Sequence, residues 1–230
     1  MKTLKINIIF HRTLTDMCYR NLSNCDLSKI NFIAVNPSIP KTFDSKYSVL
    51  NEWELPFYEK SLQENNFREN TVLYHLYKNN FLKTDYVGFL QYDMTLNPNF
   101  FNCVEEQLHK TPECILSVML ENCNQSLVLT SPNYPREFVL NSYNAFFNKN
   151  KTMGDMNEAQ YPLLNSYIIP LEMYNRLGAW LESIMLDIYK IAPEHIAGYL
   201  ERVTAIFLAL EDAPKISIAN LITHEPSIRK

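Results

Sequence analysis

The residues most able to do chemistry stand where apolar runs stop. His11-Arg12 follow residues 4–10, Asn36 follows 30–35, Gln91-Tyr92-Asp93 follow 86–90, and His224 follows 216–222. An acidic side chain directly after an apolar strand can hold a divalent cation. Its hard oxygen suits Mg²⁺ or Mn²⁺, which keep coordination positions open for phosphate oxygens. Asp93 is therefore a candidate metal ligand, and an aspartate in that position is otherwise a turn residue. Arg12 and Arg68 are candidates to grip a diphosphate, because guanidinium pairs bidentately with phosphate. The commoner fate of such arginines is a surface ion pair. His11, Asn36, Gln91 and Tyr92 sit where a bound ligand would meet the strand ends. A hydrogen-bonded, half-buried histidine and a turn-capping asparagine are the plainer readings of the first two.

Two carboxylates are candidate bases. Glu201 lies within the apolar stretch IAGYLERVTAIFLAL. A carboxylate among Leu200, Val203, Ile206 and Phe207 must be paired, lie on an exposed stripe, or have a raised pKa. A raised carboxylate suits deprotonation of a hydroxyl; a pair with Arg202 is the competing reading. Asp155, beside Gly154, is the rival base. Trp180, Tyr174 and Tyr189 read as core rather than as a platform for a ligand.

The elements that must position these residues alternate. Apolar runs at 4–10 and 30–35 flank about twenty residues of weak helical character, which predicts strand, crossover and strand in a parallel α/β sheet. An irregular excursion over 38–66 carries a helical piece near 53–63. Residues 68–80 predict a helix, with Val72, Leu73, Leu76 and Tyr77 at the 3.6-residue spacing. Further strands are expected at 86–91, 114–120, 127–129, 163–169 and 216–222. Helices are expected at 135–147, started by a proline, and at 171–191 and 193–210. Residues 148–160 read as a polar loop. In a sheet of this kind ligands bind at the carboxyl ends of the strands. No repeat, low-complexity tract or linker interrupts the 230 residues, which predicts one domain, with the possibility left open that the chain is part of a longer one.

Composition removes several classes. The 21 basic and 25 acidic residues leave a net charge of −4, against the basic excess expected of a nucleic-acid binder. Four glycines, Gly88, Gly154, Gly178 and Gly198, are too scattered for G-x-G-x-x-G or a P-loop. The five cysteines form no C-x-x-C pair, which disfavours zinc ribbons and dithiol redox chemistry. Reduced thiols, an N-terminus that reads as a strand, and apolar runs too short for a bilayer predict a cytoplasmic protein without a transmembrane segment.

The stretch RENTVLYHLYKNN followed by DYVGFLQYDM resembles a signature of capsular-polysaccharide-type glycosyltransferases, in which E-x-T-x-x-Y-W-x-x-K-N leads into D-Y-I-G-x-x-H-Y-R-R. Glu69, Thr71, Tyr74, Lys78 and Asn79 match the first part, and Asp85, Tyr86, Gly88 and Tyr92 the second. His11 at the end of the first strand, LLNSYIIPLEMYNRLGAWLESIM and GYLERVTAIFLALE resemble further segments of the family in the same order. The resemblance implies a GT-A-like nucleotide-diphospho-sugar transferase domain with a central mixed, mostly parallel sheet flanked by helices. It implies transfer of a sugar from a nucleotide donor to a glycan hydroxyl, with His11, Arg12, Asn36, Arg68, Gln91 and Tyr92 around the donor.

Where the family has H-Y-R-R, this chain has Gln91-Tyr92-Asp93-Met94. The paired arginines are replaced by half of the D-x-D motif through which many GT-A enzymes hold their metal. That implies Mn²⁺ or Mg²⁺ at Asp93, a second metal contact from the late His224, and a UDP-sugar as the expected donor. A degenerate GT-A domain that binds a nucleotide sugar or glycan without turnover is the alternative reading. Metal-dependent donor hydrolysis is a third.

Overall fold

The computed structural model describes residues 2–10, 14, 16–35, 47–126, 129, 131 and 133–225. Its strands are β1 (Leu4–Phe10), β2 (Ile30–Ala34), β3 (Val49–Asn51), β4 (Tyr86–Gln91), β5 (Met94–Leu96), β6 (Ile115–Ser117), β7 (Leu120–Asn122), β8 (Gln160–Pro162), β9 (Tyr167–Pro170), β10 (Lys215–Ser217) and β11 (Ile222–His224). The helices are α1 (Asn24–Leu27), α2 (Lys60–Glu64), α3 (Asn70–Lys78), α4 (Phe100–Lys110), α5 (Arg136–Phe147), α6 (Met153–Glu158), α7 (Leu171–Ile191) and α8 (Ile196–Leu210).

Seven strands make one sheet in the order β10-β6-β9-β4-β1-β2-β3. Its pairings are parallel except the two made by β9, which runs against β4 and β6. The alternation of strand side chains divides the core in two. Ile6, Ile8, Phe10, Phe32, Leu90 and Leu116 join one apolar cluster with α4 residues. Ile9, Ile33, Val87, Phe89, Ile115 and Ile169 join the other, beneath α3, α5, α7 and α8. Helices on both faces bury the sheet, so its central strands read as continuous apolar runs.

Asn7 is the polar exception within β1. It is fully buried, and its amide donates to the Gly88 carbonyl at 3.0 Å while its oxygen accepts from Asn31 at 3.0 Å. Both satisfied ends explain how a polar side chain survives in the sheet interior. Gly88 itself is required by close approach: a Cβ there would run into the Ile6 side chain and crowd Ile168. Gly178 lets α7 close onto the Tyr77 ring of α3, and Lys78 reaches across to Glu182 at 2.5 Å.

Several expected elements differ in detail. Residues 148–160 contain α6, started by a capping box in which Thr152 and Asp155 satisfy one another's backbone N–H groups. Only Met156 of that helix is buried, so no apolar period announced it. The strand expected at 163–169 begins only at Tyr167, because Leu164 and Asn165 take φ of 60° and 47° and turn the chain. The expected strand at 114–120 divides into β6 and β7, which pair in different sheets. The tail at 216–222 likewise becomes β10, a 3₁₀ turn at Ala219–Leu221, and β11. Leu129 lies in a turn, and the rest of the expected strand at 127–129 lies outside the described residues. No helix among the described residues is long and apolar enough to cross a membrane.

Candidate functional site

Because β1, β2, β3 and β4 are parallel neighbours, their carboxyl ends share one edge of the sheet. β4 reaches that edge at Gln91, turns through Tyr92-Asp93 and returns as β5. β11 then pairs antiparallel with β5, placing His224 opposite Met94. This short two-stranded ribbon does what the sequence pattern alone did not reveal. It brings the end of the chain onto the turn after β4.

The outcome is a contact across 131 positions of sequence: His224 Nε2 lies 2.9 Å from Asp93 Oδ2. Asp93 is fully buried, while the His224 side chain is 29% exposed. A turn aspartate is ordinarily solvated, so enclosure against an imidazole sets this one apart. The backbone around it is tied from several sides. The Glu225 N–H donates to the Asp93 carbonyl at 2.8 Å, and the Tyr19 hydroxyl donates to the Tyr92 carbonyl at 3.0 Å. Cys18 packs beneath. Burial raises its thiol pKa, and the carboxylates of Glu225 and Asp93 push in the same direction, against a hydrogen bond with Thr95. Burial likewise holds the Tyr19 phenol well above its ordinary pKa, with help from the Asp93 charge.

One carboxylate oxygen and one imidazole nitrogen form a donor set that Mn²⁺ accepts readily and Mg²⁺ less so. No cluster of three or more histidine, cysteine and acidic side chains suited to a metal occurs among the described residues. A cation at Asp93 and His224 would complete its shell from water and phosphate oxygens, as hard cations do at diphosphates. The residues present fit such an ion.

The other sequence candidates fare differently. His11, Arg12 and Asn36 lie outside the described residues. Gln91 is half-buried at the last position of β4, in register with Ile9. Tyr92 is 3% exposed, and its ring belongs to the apolar cluster under β4 and β5. Packing, rather than an open ligand surface, is what the structure gives it. Arg68 is exposed just before α3, with φ of 54°. α3 connects β3 to β4, two strands of the same sheet running in the same direction, so its start, with Arg68 before it, follows the carboxyl end of β3.

Glu201 follows the competing reading: its carboxylate lies 2.7 Å from Arg202 Nη1, both side chains being mostly buried. Asp155 is exposed and occupied as the α6 cap. Hydrogen bonds from the Thr152 backbone and hydroxyl lower its pKa, the direction opposite to that a base near neutrality needs. A group absent from the sequence reading is the enclosed His75–Glu52 pair, 2.7 Å apart after β3. Its only sequence signal is a histidine on the buried face of α3.

The sequence matches no family model and no curated protein. Among solved structures, the apo bifunctional glycosyltransferase WbbM is similar over 94% of this chain and 44% of its own, with TM-score 0.63 and 15% identity. This chain thus spans less than half the length of that protein. Glucosyl-3-phosphoglycerate synthase from Mycobacterium tuberculosis is similar at lower scores. Its complex with Mn²⁺, UDP-glucose and phosphoglyceric acid gives TM-score 0.45 at 10% identity, over 97% of this chain and 72% of that one. Its complex with Mg²⁺ and UDP gives 0.47 at 11%, over 97% and 71%. At these identities the likeness is one of fold. The architecture is the GT-A-like one: a central, mostly parallel sheet of seven strands flanked by helices.

Proposed function

We propose that this chain is a glycosyltransferase domain, residues 1–230, that moves a sugar from a UDP-sugar to a glycan hydroxyl with the help of Mn²⁺ or Mg²⁺. The observation that carries the reading is the contact between Asp93 and His224 at the carboxyl end of β4, within a GT-A-like sheet. Asp93 and His224 would hold the cation. A divalent ion there supplies positive charge to the diphosphate leaving group as its own charge develops. Arg68, on the same edge, adds a fixed cation that pairs with phosphate oxygens. Gln91 stands at the mouth of the site, and His11, Arg12 and Asn36 are assigned to the nucleotide by their positions after β1 and β2. Buried Tyr92 supports the turn from below. The five free thiols support a cytoplasmic setting.

Deprotonating the acceptor needs a base. Glu201 keeps that assignment in this reading and would have to part from Arg202 to serve. Asp155 does not keep it, because its oxygens are committed to the cap. The engagement of both carboxylates favours a second reading, a domain that binds nucleotide sugar without turnover. Calorimetric titration with UDP, GDP and CMP, with and without Mn²⁺, tests the binding claim. A product assay with UDP-sugars and glycan acceptors then separates transfer from binding alone and from hydrolysis. Preference for GDP or CMP would overturn the donor, and absence of all nucleotide binding would overturn the reading.

A further inference from the structure

Arg68 holds a backbone conformation that its side chain disfavours. Its φ of 54° lies in the left-handed region, as does the φ of 62° at Asn66. A residue with a Cβ stays there only when its surroundings fix it. The surroundings are specific. The Arg68 carbonyl accepts from the Thr71 hydroxyl at 2.7 Å, the Thr71 N–H at 3.1 Å and the Gln63 side-chain amide at 3.1 Å. That amide also lies 2.5 Å from Thr71 Oγ1 and 2.9 Å from Glu52 Oε2.

Glu52 is in turn fixed by His75. The Glu59 N–H donates to His75 Nε2 at 3.0 Å, so the ring proton sits on Nδ1 and donates to Glu52 Oε1 at 2.7 Å. Glu52 and His75 are completely buried and Thr71 nearly so. On either side of Arg68, Phe67 is buried against Tyr189, and Asn70 donates to the Phe67 and Ala197 carbonyls at 3.0 Å each. The peptide of Arg68 is therefore held from inside, while its guanidinium is left exposed. It forms no hydrogen bond or ion pair with the described residues.

We infer that Gln63, backed by Glu52, Thr71 and His75, is a positioning residue that forces Arg68 into its left-handed conformation and so directs its exposed guanidinium toward the donor diphosphate. The inference rests on the glycosyltransferase reading for its ligand, but not for its geometry. Replacing Gln63 with leucine or Thr71 with valine removes one of the three donors on the carbonyl, loosening its hold so that Arg68 can relax toward the right-handed region.

Two measurements on the full chain separate the claims. The first is the thermal midpoint. Arg68→Gly, which tolerates positive φ, should raise it by about 2 °C in the parent and leave it unchanged in a Gln63→Leu background. The second is UDP affinity in the presence of Mn²⁺. Arg68→Ala should lose about tenfold, as for a charged hydrogen bond removed. Gln63→Leu should lose a similar factor, and the double variant no more than Arg68→Ala alone. Should Gln63→Leu fold poorly, Thr71→Val removes the shared Gln63–Thr71 contact together with the Thr71 hydroxyl's bond to the Arg68 carbonyl, and must behave alike. Equal midpoint gains in both backgrounds, or losses that multiply in the double variant, overturn the inference while leaving the donor reading intact. A parent that binds no UDP overturns the donor reading and with it the aim assigned to Arg68, whatever the midpoints do.

Discussion

Two histidine–carboxylate pairs sit at the same edge of the sheet, and they differ in enclosure. His75 and Glu52 are 2.7 Å apart with neither side chain exposed, and every ring nitrogen has an internal partner. His224 and Asp93 are 2.9 Å apart, with Asp93 enclosed and His224 29% exposed. The first pair follows β3 and is covered by α2 and α3. The second follows β4 and is covered by the terminal ribbon. A closed pair is committed to the fold, whereas the second pair keeps one side, the His224 ring, that solvent can reach.

The largest expected effect breaks the closed pair. His75→Ala strands the Glu52 carboxylate in the interior and empties a ring-sized space, so urea unfolding should show a loss of about 3 kcal/mol. His224→Ala should cost less, about 1–2 kcal/mol, because water can reach Asp93 through the space left by the partly exposed ring. Equal losses at the two sites would erase the distinction drawn above.

The large apolar cluster that α3 joins through Val72, Leu73 and Leu76 also holds Cys123. Burial pushes its thiol up to about 12, so the folded chain binds that proton more tightly than the unfolded one. Its contribution to stability is complete below about pH 9 and is lost as pH rises toward 12. The slope from this one thiol approaches about 1.4 kcal/mol per pH unit. Unfolding followed from pH 8 to 10.5 should show stability falling with pH, and Cys123→Ala should flatten part of that slope. A profile identical in the variant would mean that the thiol is already solvated in the native state.

What the sequence made legible follows from range. The strands at 4–10, 30–34 and 86–91 and the helices at 136–147 and 171–191 are long apolar patterns, and local periodicity suffices to place them. Asp93 and His224 were recognisable singly, as polar residues ending apolar runs. Their contact was not, because it depends on β5 and β11, each three residues long, pairing across the whole chain. Glu201 and Asp155 show the reverse. They were weighed as bases, and Glu201 proves to be paired with Arg202, the competing reading its sequence offered, while Asp155 is claimed by a helix start at Thr152 that no apolar period announced. The Gln63–Glu52–His75 network left no trace in spacing, since its members lie in an irregular stretch and on the inner face of α3.

The pair at Asp93 and His224 is proposed as a cation site serving a diphosphate. Isothermal titration of UDP into the parent and into Asp93→Asn, each with Mn²⁺ and again with EDTA, tests it most directly. EDTA should weaken binding to the parent. Asp93→Asn should lose about 2–4 kcal/mol of the Mn²⁺-dependent affinity with its far-ultraviolet circular dichroism unchanged. A variant that binds UDP as tightly as the parent, or a parent indifferent to EDTA, would contradict it and reduce Asp93 to a buried turn residue paired with His224.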